Sequence, residues 1–139
     1  MNRIFFYGLF MDVNLLLDKG FHPELIGPAE LPGYQIHIGN RASLIPRSRS
    51  TSYGMLIDLS SDELTMLYSP PDVRDYRPDN VDTILLRDHS SQGSLCYNLP
   101  PDKLGAETNP EYARQLSALV LELGFPAAYA SEIIMRDDA

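Results

Sequence analysis

A glycine interrupts the apolar stretch FFYGLFM at residues 5–11, and Asp12 follows at once. A chain that turns from a buried strand into a helix presents successive backbone N–H groups. Such a concave set of donors suits a carboxylate or a developing oxyanion. Glycine at that corner lets another group approach the backbone, because no Cβ stands in the way. On these residues alone Gly8 has two readings: a plain strand-to-helix turn, or the floor of an anion site. A second chemistry-bearing stretch, SPPDVRDYRPDN from Ser69, gathers Asp72, Asp75 and Asp79 with Arg74 and Arg77. Its carboxylates could take up a proton or hold a cation. The prolines and the absence of calcium-loop spacing favour a solvated loop with local ion pairs.

The remaining reactive side chains point to structure rather than chemistry. His22, His37 and His89 are far apart, and none has a second ligand at a recognisable metal spacing. We therefore expect no metal and no cofactor. Cys96, the single cysteine, lies in an apolar run without a histidine at motif spacing, which reads as a small core residue. No G-x-G-x-x-G, G-x-x-x-x-G-K-[ST] or G-x-S-x-G motif occurs. Ser60 and Glu63 have the S-x-x-E spacing of a helix capping box, which accounts for that carboxylate.

Composition narrows the class further. The 139 residues suffice for one domain with its own core, so residues 1–139 are read as a single domain. Acidic side chains number 19 against 11 basic, a net charge of −8, which counterion release cannot turn into nucleic-acid affinity without a basic cluster. The one cluster, Arg41, Arg47 and Arg49 in RASLIPRSRSTS, reads as a solvated hairpin tip. No apolar run has the length of a membrane span, and the N-terminal run is too short for a signal peptide, so a cytoplasmic protein without membrane or nucleic-acid partners is expected.

These residues need elements to position them. Arg3 to Tyr7 reads as a short buried strand, and Asp12 as the cap of a short helix stopped by Gly20. Short strands are expected around Leu25–Ala29 and Tyr34–Ile38, joined by tight turns. ASLIP and SYGMLIDL should form a hairpin around RSRSTS, followed by the helix that Ser60 caps. VDTILLRD and SLCYNL are two further strands. NPEYARQLSALVLELG is the clearest helix, with Asn109 as cap, Pro110 at the first position and Gly124 at the stop, and PAAYASEIIM follows as another. The order gives an α+β fold, a small mixed β-barrel or strongly curved sheet with flanking helices.

Three of these segments, in order, resemble the gamma-glutamylcyclotransferase-like family. They are the strand ending in Tyr7-Gly8, the pair RASLIP and SYGMLIDLSSDELTMLY, and NPEYARQLSALVLELGFPAAYASEI. The resemblance runs from residue 4 to about residue 134. It implies a small barrel with flanking helices and a pocket for a γ-glutamyl amine or similar small acyl amide. In that chemistry the substrate's α-amino group attacks its own γ-carbonyl, giving 5-oxoproline and a free amine. The resemblance places Tyr7, Gly8, Leu9 and Phe10 at the pocket mouth and matches Tyr76 to a family tyrosine. It also places the family's general base, a glutamate, at Pro71, or at Pro70 if the loop slips by one. Neither can accept a proton, and Asp72, next along, is the candidate substitute. A positioned base is worth roughly 10²–10⁴ in rate, so weak or absent cyclotransferase activity is expected. A non-catalytic small-molecule-binding or protein-interaction domain on the same fold is the alternative.

Overall fold

The computed structural model describes residues 1–138. Strand β1, Asn2–Phe6, lies between two neighbours. On one side it pairs antiparallel with β3, Ala42–Leu59, in a register that sets Ile4 opposite Ile57. On the other it meets β5, Ser91–Asn98, in parallel at Ile4 and Leu95. With β2, Glu24–Ile38, and β4, Arg77–Leu85, the order β1-β3-β2-β4-β5 closes into a barrel. A closed barrel leaves no sheet edge to template other chains. Ile4, Leu31, Leu56, Ile57 and Leu85 are among its fully buried side chains, each worth roughly 1.5–3 kcal/mol of burial.

The expected mixed barrel is thus present, but two local expectations fail. The strands expected at Leu25–Ala29 and Tyr34–Ile38 are one strand, β2, with register shifts between Leu25 and Gly27 and between Pro32 and Tyr34. At the second shift Gly33 takes φ 85, a left-handed conformation that glycine alone adopts cheaply. RSRSTS is not a hairpin tip either. Tyr34 faces Pro46 while Pro32 faces Thr51, so residues 47–50 of β3 bulge out opposite Gly33, and both flanking runs pair with β2. The actual β2–β3 turn is at residues 39–41. Arg41 is therefore separated from Arg47 and Arg49 by a length of ladder.

The helices follow their capping signals. Asp12 accepts the Asn14 N–H at 3.0 Å and starts α1, Val13–Asp18. Ser60 and Glu63 form both halves of the capping box on α2, Ser61–Leu67. Glu63 also accepts the His22 N–H at 2.6 Å, which ties the chain beyond α1 to α2. Asn109 accepts the Tyr112 N–H at 3.1 Å ahead of Pro110 in α3, Pro110–Glu122. Helix α3 buries Ala113, Leu116 and Val120, and its Ser117 hydroxyl donates to the Ala130 carbonyl of α4, Ala127–Asp138, at 2.9 Å. This pairing brings Tyr112 to the end of β1.

Candidate binding site

Directly after β1 the chain makes a single 3₁₀ turn, Leu9–Met11, closed by the Met11 N–H on the Gly8 carbonyl and the Asp12 N–H on the Leu9 carbonyl, both at 3.0 Å. Tyr7 is buried, and its hydroxyl donates to the Tyr97 carbonyl at 2.7 Å, fixing the end of β1 against β5. Gly8 has φ −101 and ψ −157, extended backbone open to any residue, so the corner does not need glycine for its dihedrals. It needs glycine for space, because a Cβ there would stand 2.7 Å from the Tyr112 hydroxyl oxygen. A protein side chain thus makes the close approach at Gly8.

The opposite wall is the irregular segment after α2. Two successive turns, the Val73 N–H on the Pro70 carbonyl and the Tyr76 N–H on the Val73 carbonyl, both at 3.1 Å, fold it back toward the β2–β3 turn. Arg41 holds it there. Its guanidinium donates to the Asp72 carbonyl at 2.9 Å, lies 3.5 Å from the Asp75 carboxylate and sits over the Tyr76 ring, 5.8 Å from its centroid. The Tyr76 hydroxyl donates to the Ala42 carbonyl. Tyr68, the residue that caps α2, stacks on Tyr97 with centroids 4.1 Å apart and planes 8° from parallel. Burial pushes the Tyr7, Tyr68 and Tyr76 hydroxyls up, and the Tyr112 hydroxyl up to about 12. All four are neutral phenols at physiological pH.

Between these walls lies a cavity of about 730 Å³. Tyr7, Gly8, Leu9, Phe10, Asp72 and Tyr76, named from the sequence, all line it. Sequence reasoning missed Asn40, Arg41, Asp75, Tyr68, Tyr97 and Tyr112, which line it too. The one sequence signal for Arg41 was its place in the basic cluster, and for Asp75 its place beside Tyr76. Pro71 forms part of the wall, and Asp72, exposed at its rim, presents a carboxylate beside it. Cys96 is fully buried with its thiol pushed up to about 12 by desolvation, so it is a core residue and no nucleophile. Among the described residues no group of three or more His, Cys, Asp or Glu is placed to hold a metal ion. No helix among them is long and apolar enough to cross a membrane.

No family model and no curated protein sequence matches this chain. Solved structures do. One described as a gamma-glutamyl cyclotransferase superimposes with a TM-score of 0.76 over 95% of this chain and 85% of that one, at 14% identity. The chain has the gamma-glutamyl cyclotransferase-like fold. An AIG2-like protein from Mus musculus shares it at a TM-score of 0.60 and 18% identity, over 81% of this chain and 82% of that one. YkqA from Bacillus subtilis shares it at 0.78 and 22% identity, over 99% of this chain and 54% of that one, so this chain spans about half the length of YkqA. On the gamma-glutamyl cyclotransferase-like fold of this chain, the β1 corner and the segment from Ser69 to Tyr76 face one cavity, although in sequence they stand far apart.

Proposed function

We propose that this chain binds a small γ-glutamyl amide, or a closely similar acyl amide, in the cavity between the β1 corner and the Pro70–Tyr76 segment. The observation that carries the reading is the convergence of Tyr7, Gly8, Leu9 and Phe10 with Asp72 and Tyr76 on a single concavity of drug-like size. The proposal extends to family membership and with it to the cyclotransferase reaction. In that reaction the ligand's α-ammonium loses a proton, the amine attacks the γ-carbonyl, and the leaving amine takes a proton as 5-oxoproline forms. Asp72 is the carboxylate nearest in sequence to the position that Pro71 fills. Its carboxylate stands exposed at the rim, and its backbone rather than its side chain is held by Arg41.

Turnover is therefore slow. Holding amine and carbonyl together gives some acceleration, but the roughly 10²–10⁴ supplied by a positioned base is largely lost. The same features favour a non-catalytic binding module as the second reading. The test is incubation with a panel of γ-glutamyl amides, scoring 5-oxoproline and the ligand-induced rise in melting temperature. Slow release of 5-oxoproline that disappears in Asp72→Ala supports Asp72 as the base, whereas turnover that persists in that variant removes it. A melting shift without turnover supports the binding module. Neither turnover nor a shift with any γ-glutamyl amide overturns the proposal.

A further inference from the structure

We infer that the β3 bulge at residues 47–50 is a phosphate site, which takes the phosphate dianion of a small molecule on Arg47, Arg49 and the backbone between them. None of these residues lines the cavity, so the site is independent of the ligand proposed there.

The arm around the bulge is positively charged. From Leu31 to Ile57 the chain carries three arginines and no acidic residue, although its 19 acidic side chains give it a net charge of −8 overall. Arg41 is committed to the 72–76 segment. Arg3, Arg77, Arg87 and Arg114 each donate to a protein acceptor, and Arg74 has Asp72 and Asp75 beside it in the sequence. Arg47 and Arg49 are exposed, and among the described residues neither has a hydrogen bond or an ion pair. The nearest carboxylate along β2, that of Glu30, belongs to the residue facing Tyr53, past the end of the bulge.

The backbone there is arranged for an anion as well. Residues 47–50 have no partner in the ladder, where Tyr34 faces Pro46 and Pro32 faces Thr51. The Ser52 hydroxyl donates to the Tyr34 carbonyl at 2.9 Å and pins the ladder at the base of the bulge. Within the bulge Arg49 alone takes a positive φ, 68, with Ser48 and Ser50 on the negative side. Such a change of sign between neighbours turns successive N–H groups toward one side, the concave arrangement that receives anions. Left-handed backbone strains a residue with a Cβ, whereas glycine adopts it freely, as Gly33 does on the facing strand. An arginine at position 49 therefore carries a strain that no contact of its side chain within the protein offsets.

Two guanidiniums, the N–H groups between them and the Ser48 and Ser50 hydroxyls are more donors than one carboxylate can use. Phosphate has further acceptor oxygens, and arginine binds them two at a time. A membrane or a nucleic acid fits less well, because a chain of net charge −8 is repelled by an extended polyanion. A small phosphate meets only the local field.

The test is a titration of the ¹⁵N-labelled whole chain at low salt with inorganic phosphate, with glycerol phosphate, and with sodium chloride of matched ionic strength. Saturable amide shifts at residues 47–51 are expected with the phosphates and not with chloride, and the tighter of the two tells whether the free ion or an ester is preferred. Because the site is exposed, affinity should fall as salt is raised. Arg47→Gln and Arg49→Gln should each weaken binding by about fivefold or more. Arg49→Gly keeps the left-handed backbone without its strain, so it should raise the melting temperature while weakening phosphate, a combination that loss of folding cannot produce. Shifts that chloride reproduces, or unchanged affinity in both glutamine variants, overturn the inference. Binding to phosphatidylserine vesicles without a response to either soluble phosphate overturns it too, in favour of a membrane contact.

Discussion

Replacing Gly8 by alanine sets a single new atom against Tyr112. The backbone at Gly8 is extended, so alanine meets no dihedral strain, and its stiffer unfolded chain would by itself stabilise the fold by about 0.4–1 kcal/mol. Against this, the Cβ would stand 2.7 Å from the Tyr112 oxygen. The phenol cannot simply swing aside, because its ring packs against the core. Overpacking in place costs about 1–3 kcal/mol. The unfavourable side wins, and Gly8→Ala should lose about 1–2 kcal/mol net. At roughly 2.1 cal/mol/K of unfolding entropy per residue, a chain of this length loses about 3 °C of Tm per kcal/mol, so a fall of about 3–7 °C is expected by circular dichroism. The decisive assay repeats the substitution in a Tyr112→Phe background, where the obstructing oxygen is gone. There alanine should cost less than half as much, a coupling of about 1 kcal/mol in the double-mutant cycle. An equal loss in both backgrounds, or no loss in either, refutes the account of the corner.

Two further outcomes follow from buried and capped side chains. Asn98 is buried, accepts the Leu44 N–H at 3.0 Å and donates to Asp79 at 3.1 Å, so Asn98→Ala leaves a stranded donor and should cost about 2–3 kcal/mol in urea unfolding. The His22 N–H and then the Ser60 N–H hold the Glu63 carboxyl below its ordinary 4.5. A depressed value means that stability is present above about pH 4.5 and is lost as pH falls through the folded value. Glu63→Gln should therefore flatten the acid limb of the urea midpoint between about pH 5 and 3, and an unchanged slope would count against the His22 contact.

How much of this was legible in the sequence depended on the range of the interaction. Asp12, Ser60 with Glu63, Asn109 with Pro110, and Gly124 each act within one helical turn, and each was read correctly from spacing alone. The continuity of β2 was not legible, because Pro28 and Pro32 look like strand breakers. The register tolerates them beside irregularities at Leu25/Gly27 and Pro32/Tyr34. The bulge at residues 47–50 was hidden for the same reason, since polar residues between two apolar runs look alike at a hairpin tip and in a bulge. At the site, the mouth residues Tyr7–Phe10 were legible through the glycine and the resemblance. Tyr112 was legible as a helix residue and not as the partner of Gly8, since only the docking of α3 on α4 and the barrel brings the two together. Arg41 as the residue that organises the 72–76 wall depended likewise on the β2–β3 turn, which the sequence placed elsewhere.

The central claim is that a γ-glutamyl amide sits against the β1 corner. The direct test is a titration of the ¹⁵N-labelled chain with the panel of γ-glutamyl amides, followed by amide chemical shifts. Saturable shifts concentrated at Gly8, Leu9 and Phe10 and at Val73–Tyr76 are the expected result. Saturable binding that leaves those amides still and moves a different surface would contradict it.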